Sequence, residues 1–419
     1  MRLEFLHLAD LHLGYRQYGH LERFHDFGRA FLHAVDYALA HHIPLVLISG
    51  DLFHKSAIDP ATLLQAVDGL RRLRQAGTVV TAVAGNHDRA RYRDRLSWLH
   101  LLNELDYLRL LAPAFADSRV LLERCTSDGG AYTDLDNLRV FGLPYLGAST
   151  RSVLAELPAA LEQARQEGVG YVILMAHLGL EGEMPGVPGG IPEALLSPLK
   201  EHVDYLALGH WHKPFERDGW IYNPGSPENC SLAEAHWRGG FYHVVVGESV
   251  GSKHEARHVE YTGRPFVRLA VRVDDCSTPD ALYDAVRQLL HQHARKDDSS
   301  DLAPVLELRL EGVLGFDRRA LDLQFVGELM QSIVSPLVAL PKDNTRSVDS
   351  PISSEVSLSR SELERTVMVD LVRRDGRYGA HAGQWADLVR EIKAMVLGNG
   401  TPEAMVSTME HRIAEMSEE

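Results

Sequence analysis

The chain has 419 residues, 45% of them hydrophobic and 24% charged, a composition that suits a folded protein of two or three domains with a large core. Its net charge of −15 excludes coating of nucleic acid by bulk electrostatics, although a local basic patch or bound divalent cations can still hold a phosphate backbone. No stretch approaches the roughly 20 apolar residues of a membrane span, the N-terminus enters a strand at once and leaves no room for a signal peptide, and the three cysteines (Cys125, Cys230 and Cys276) form no CxxC pair, so a cytoplasmic chain with ordinary thiols in or near its cores is expected.

Residues 1 to about 250 alternate strands and helices. Leu3–Ala9 reads as a strand leading into Asp10. Leu21–Ala40 reads as a helix, with Phe24, Phe27, Phe31 and Val35 at spacings of three and four. Pro44–Ser49 is a buried strand stopping at Gly50-Asp51. Asp59-Pro60 predicts an N-cap with proline at the first helical position, and Leu63, Leu64, Val67, Leu70 and Leu73 predict that helix's inner face, closed by Gly77. Thr78–Ala84 is the next strand and delivers Gly85-Asn86-His87-Asp88. Leu138–Leu143, Tyr171–Ala176, Val203–Leu208 and Phe241–Val246 are further near-continuous apolar runs, as expected of strands buried on both faces. The pattern predicts an α/β fold with a layered core and helices outside.

A second region, from about Pro265 to Pro336, predicts a small two-layer β-α-β-α domain. Its strands are Phe266–Val273 and Val305–Leu310, and its helices are Thr278–Gln292, with Leu282, Val286 and Leu289 on one face, and Arg318–Val334. Residues 341–360 hold six serines without sustained periodicity and read as a linker. Beyond it the chain is helical. Ser361-Glu362-Leu363-Glu364 fits a capping box, and a final helix from Thr401-Pro402 carries Met405, Met409, Ile413 and Met416 on one side. That side either packs on its own domain or docks another protein. The boundaries that follow are 1–262, 263–340, 341–360 and 361–419.

Five short patterns carry the chemistry: Asp10-Leu11-His12, Gly50-Asp51, Gly85-Asn86-His87-Asp88, Ala176-His177 and Gly209-His210-Trp211-His212. A lone strand-end aspartate is ordinarily an N-cap or turn residue, and the same discount applies to most of the 22 histidines. His7, at the opposite parity to Asp10 in its strand, is left out for that reason. Together, in order and mostly at strand ends, the five patterns point to a two-metal phosphoesterase, in which metals roughly 3.5–4 Å apart activate a nucleophile and neutralise developing charge. Asp51, ending the most buried strand, is the natural bridging carboxylate. Mixed imidazole, carboxylate and amide donors suit Mn²⁺, Fe²⁺ or Zn²⁺, and the lack of cysteine in the patterns argues against a structural zinc site. His210 and His212 would share a face on a strict strand; a loop would separate them.

With these residues in place, the chain resembles the calcineurin-like metallophosphoesterase superfamily, and within it the SbcD-type DNA nucleases of double-strand-break repair. The resemblance runs through roughly residues 1–250. It rests on Ala9-Asp10-Leu11-His12-Leu13-Gly14, on Arg23, Asp26 and Phe27, on Gly50-Asp51-Leu52-Phe53-His54, on Gly85-Asn86-His87-Asp88, on Gly209-His210-Trp211-His212 and on Asn223-Pro224-Gly225-Ser226. It implies an α-β-β-α core with a small α/β cap and C-terminal helices. It implies one metal on Asp10, His12, Asp51 and His212, and a second on Asp51, Asn86, His177 and His210. His87 would orient or protonate the scissile phosphate or leaving group, Asp88 would support His87 from behind, and His54 would position the phosphate. Mn²⁺ dependence, 3′-to-5′ exonuclease activity on duplex ends and endonuclease activity on single strands are also implied. So are a homodimer through residues 15–35, a DNA-contacting cap, and an SbcC-type coiled-coil ATPase partner docked by the C-terminal helices. The alternative activities are hydrolysis of small phosphodiesters or phosphoproteins, or a non-catalytic scaffold.

Two segments beside the patterns have two readings each. Arg89, Arg91, Arg93 and Arg95 either grip DNA phosphates or form a solvated face partly paired with Asp88 and Asp94. Gly179–Gly190 is either a loop shaping substrate access or an irregular spacer.

Overall fold

The computed structural model describes residues 3–90, 96–116, 119–126, 129–164, 168–184, 190–249, 252–294, 302–347, 360–373, 378–397 and 401–418. The chain divides into two compact units, Met1–Arg268 with Asp297–Glu307 and Ser335–Leu340, and Leu269–Lys296 with Leu308–Val334 and Pro341–Glu419.

The first unit contains two six-stranded sheets. In one, Leu3–Leu8, Leu45–Ile48 and Val79–Ala82 run parallel, and Gly240–Ser249 joins Leu3–Leu8 antiparallel. In the other, Leu138–Leu143, Tyr171–His177, Tyr205–Gly209 and Ile221–Asn223 run parallel. Side chains along a strand alternate between faces, and here both faces are dry. Leu6, Leu8, Val46 and Ile48 pack against Phe31, Val35, Leu70 and Leu73 of the helices outside the first sheet. Leu174, Ala176, Leu206 and Leu208 pack with Leu154, Leu157 and Leu161 of the helix Thr150–Gln163 outside the second. The intervening positions, Phe5, Leu45, Leu47, Ile173, Met175, Tyr205 and Ala207, fill the space between the sheets. This is the α-β-β-α layering, and it explains why the strands read as unbroken apolar runs.

Local signals act as written in the sequence. The helix Leu21–Ala40 buries Phe24, Phe27, Phe31 and Val35. Asp59 caps the helix Pro60–Gln75 by accepting the Thr62 N–H at 2.8 Å, with Pro60 in its first turn. Leu64 is the exception on that helix. It is 68% exposed, and Ala66, Gly69 and Thr62 share the buried face instead.

In the second unit, the helices Pro279–Ala294 and Leu323–Val334 bury Leu282, Val286, Leu290, Val326 and Met330, with Tyr283 edge-on to Phe325. Leu290, rather than Leu289, completes the inner face. The expected helix Arg318–Val334 is instead a short 3₁₀ turn, Arg318–Ala320, followed by the helix from Leu323. The linker reading over 341–360 is corrected at its start. Val338–Ser347 is a third strand, beside Val305–Leu314, in a three-stranded sheet that begins with Phe266–Arg272. Residues 348–359 lie outside the described residues. The C-terminal helices are Arg360–Arg373, Ala382–Leu397 and Pro402–Glu418. The first begins ahead of Ser361, so Ser361 is not its N-cap. Val367, Leu371, Met409 and Ile413 are exposed on these helices, and among the described residues no helix is long and apolar enough to cross a membrane.

Candidate metal centre

The five patterns converge where the parallel strands of the two sheets end. Asp10 and His12 follow Leu3–Leu8, Asp51 follows Leu45–Ile48, Asn86 and His87 follow Val79–Ala82, His177 ends its own strand, and His210 and His212 follow Tyr205–Gly209. The backbone turns sharply to deliver them. Asp10, His12, Asp51 and His210 all have positive φ (54°, 46°, 53° and 97°), a region that costs non-glycine residues energy and is concentrated at functional sites. Glycine is required beside them. A Cβ on Gly50, itself at φ +95°, would sit 2.0 Å from His177 Nδ1, and one on Gly85 would sit 2.0 Å from Asp51 Oδ1.

The donors fall into two groups. In one, His12 Nε2 and His212 Nε2 are 3.0 Å apart, and ligand atoms of Asp10, His12 and Asp51 lie within 4.8 Å of one another. In the other, Asn86 Oδ1 is 3.1 Å from His177 Nε2 and 3.0 Å from His210 Nδ1. Asp51 lies between them, with Oδ2 3.4 Å from His177 Nε2 and Oδ1 accepting the His87 backbone N–H at 2.9 Å. The turn at His210 sends its ring to Asn86 and the His212 ring to His12, so the two histidines part as a loop allows.

The electrostatics fit cations. Burial alone would raise the carboxyls of Asp10 and Asp51. His177 reverses this at Asp51, holding it below the ordinary range, while Asp10 stays raised. Burial alone would also lower His177, but Asp51 lifts it to about 9. Buried acids draw positive charge onto their neighbours here, and that is the charge a metal pair would bring. His12, 1% exposed, leaves Nδ1 without a hydrogen-bond partner among the described residues. Oxygen and imidazole donors at this density are those of a two-metal site.

Four residues outside the donor set, Asp88, Glu234, Tyr15 and Cys230, are placed differently from expectation or were not anticipated. His87 Nδ1 meets the His54 carbonyl oxygen at 2.6 Å, so Asp88 does not support His87. The Asp88 carboxylate instead accepts backbone N–H groups of Leu52, Phe53 and Gly85 at 3.2, 3.0 and 3.1 Å, tying the Asp51 turn to the Asn86 turn. Burial, with Asp51 nearby, pushes its carboxyl up to about 7. Glu234 was not anticipated. Its Oε1 is 3.1 Å from His212 Nδ1 and accepts from Ser231 Oγ at 3.0 Å, and its Oε2 accepts the Cys230 N–H at 2.7 Å. Tyr15 stacks on His54 at 3.7 Å and 17°, and the aromatic residue directly after Leu13-Gly14 was the available signal. His54 is held low, to about 4, by burial and by His87. Cys230, read as an ordinary thiol, lies with His12 and His212, all three ligand atoms within 4.8 Å.

Behind the site, the buried Arg23 joins Asp26 at 2.5 Å and Glu228 at 2.8 Å, and Arg264 meets Asp26 through Nε at 2.7 Å and through a second nitrogen at 3.1 Å. Ser226 Oγ donates to the Asp10 carbonyl at 2.7 Å. Arg89 is exposed, its guanidinium 5.9 Å from the centre of the Tyr145 ring. Arg91, Arg93 and Arg95 lie outside the described residues, as do 185–189 of the Gly179–Gly190 segment.

Residues 3–214 match the calcineurin-like phosphoesterase family, and the chain belongs to it. It is a metal-dependent hydrolase of the dimetal type that this family defines. Within the family its similarity is to proteins named DNA double-strand break repair protein Mre11. It is 30% identical over 294 residues to that of Aeropyrum pernix, covering 68% of this chain and 67% of the relative. It is 34% identical over 253 residues to that of Archaeoglobus fulgidus, covering 56% and 52%. The match to that of Sulfurisphaera tokodaii runs over 402 residues at 26% identity, covering 89% and 93%.

Proposed function

We propose that the chain is a two-metal phosphodiester hydrolase acting on DNA, with Mn²⁺ as its metal, 3′-to-5′ exonuclease activity on duplex ends and endonuclease activity on single strands. The observation that carries this reading is His87, a histidine outside the donor set whose ring is pinned through Nδ1 and lies edge-on to His12, 5.0 Å between ring centres. The similarity to double-strand break repair proteins supports DNA as the substrate.

Asp10, His12, Asp51 and His212 would hold one metal, and Asp51, Asn86, His177 and His210 the other. Bound there, the metals supply an activated nucleophile and neutralise charge on the phosphate. The chain supplies the rest. With Nδ1 committed to the His54 carbonyl, His87 Nε2 is the atom that delivers a proton to the phosphate or leaving oxygen. His54, stacked between Tyr15 and His87, positions the phosphate. A cavity of about 260 Å³ next to it is lined by Tyr15, Arg16, Lys55 and Asp59; Arg16 pairs with Asp59 at 3.0 Å, and Lys55 adds a cationic side chain that suits a polyanion extending past the scissile bond. Arg89, Arg91 and Arg93 would continue that contact.

A homodimer through residues 15–35 accords with the exposed Tyr18 and Leu21. A DNA-contacting cap over 263–340 and an SbcC-type coiled-coil ATPase docked on 361–419 complete the proposal. The exposed Val367, Leu371, Met409 and Ile413 are the apolar surface for that docking.

The test is incubation of the purified protein with end-labelled duplex and single-stranded DNA, with Mn²⁺ or Mg²⁺, beside a small chromogenic phosphodiester. Metal-dependent DNA cleavage is expected. Cleavage of the small ester alone would replace this reading with a small-phosphodiester hydrolase.

A further inference from the structure

The two ends of the metal centre are chemically unequal. The Asn86, His177 and His210 end offers nitrogen and oxygen donors. The His12 and His212 end also has a sulfur, with ligand atoms of His12, His212 and Cys230 mutually within 4.8 Å. Three features make this an arrangement the chain builds. Glu234 accepts from the Cys230 backbone N–H through one oxygen and contacts His212 Nδ1 through the other, so one carboxylate fixes both the imidazole and the chain that carries the thiol. Outside the centre, among the described residues, the sulfur's contacts are long, 3.7 Å to Ser226 Oγ and 3.9 Å to the Glu228 carbonyl. Independently, the buried His12 ring leaves Nδ1 unpartnered among the described residues.

We propose that Cys230 is a conditional metal ligand, so that the His12–His212 position accepts thiophilic dications such as Zn²⁺, Cd²⁺ or Co²⁺ with thiolate sulfur in the coordination sphere. The proposal rests on the two-metal reading of the site. Sulfur donors favour soft and borderline cations, whereas Mn²⁺ is served by carboxylate, water and imidazole. On binding, the Cys230 S–H bond breaks, a sulfur–metal bond forms and the proton leaves to solvent. The geometry therefore makes one position of the pair exchangeable by softer metals and leaves the other to nitrogen and oxygen chemistry.

The experiment is titration of the metal-free full chain with Co²⁺, followed by absorption. Wild type is expected to show ligand-field bands and a near-ultraviolet sulfur-to-cobalt charge-transfer band. Cys230→Ser should keep the first and lose the second. Cd²⁺ affinity should fall at least about tenfold in the variant while Mn²⁺ affinity stays within about twofold. A measurement on wild type alone, ¹¹³Cd NMR, should show one resonance displaced in the thiolate direction, which removes dependence on the variant folding. Ligand-field bands without charge transfer, an undisplaced ¹¹³Cd resonance, or a band that survives in Cys230→Ser would overturn the thiolate assignment and leave the two-metal reading standing. Failure of wild type to bind cobalt at all would overturn both.

Discussion

His87 Nδ1 meets the carbonyl oxygen of His54 at 2.6 Å. Since that oxygen can only accept, Nδ1 carries the hydrogen and the Nε2 edge is left for substrate. The backbone of the Asp51 loop, rather than a carboxylate, thus sets the orientation of the ring. His87→Ala should lower phosphodiester hydrolysis by about 10²–10⁴-fold while binding metal like wild type. Steady-state turnover read beside metal stoichiometry checks this. Loss of metal together with activity would place His87 in the donor set.

With His212 as a ligand in the proposed set, Glu234, 3.1 Å from its Nδ1, would act on the metals through that ring. A carboxylate on the far nitrogen of a ligating imidazole fixes its orientation and raises its basicity. Glu234→Gln keeps an acceptor for one partner but loses the charge. The Mn²⁺ concentration giving half-maximal activity should rise about 10- to 100-fold, with turnover at saturating metal largely restored. A fall in saturated turnover at unchanged metal requirement would rule out this role.

Asp88 is a fastener. Its two oxygens accept three backbone N–H groups from the turns that bear Asp51 and Asn86. Asn at this position has one acceptor oxygen and would turn an amide N–H₂ toward a donor. Asp88→Asn should therefore cost about 1–3 kcal/mol for the unsatisfied buried groups, seen as a lower denaturation midpoint in metal-free protein. Unaltered stability would show that the turns hold without it.

Much of this site was legible because its donors sit within a few residues of strand ends, and strand ends announce themselves as breaks in apolar runs. The partners that orient the donors were not. His212 and Glu234 are 22 residues apart, and no local periodicity links them. Asp88 stands next to His87 in sequence, which invited pairing, yet the turn directs its carboxylate to backbone amides. The same physics hid the strand Val338–Ser347. Its sequence contains Pro341, Lys342, Asp343 and Asn344, and much of it is only partly buried, so its apolar alternation is too weak to distinguish it from a linker. Cys230 is invisible to motif logic because it lies 18 residues beyond His212.

The charged cluster behind the site yields a pH prediction. Burial alone would raise Asp26, but Arg264 and Arg23 outweigh it and hold the carboxyl below its ordinary value. With the folded value depressed, the unfolded chain takes up the proton first as pH falls. The stabilisation is therefore fully present above the unfolded value of about 4 and is lost progressively below it. Asp26→Asn removes the carboxylate that Arg23 and Arg264, both nearly inaccessible, share, leaving Arg23 its bridge to Glu228, and should cost about 3–5 kcal/mol at neutral pH. Its stability should also decline less steeply than that of wild type between pH 5 and 3. Urea denaturation across that range checks both parts. Parallel acid profiles for the two proteins would mean that Asp26 does not carry the acid sensitivity, whatever the size of the loss at neutral pH.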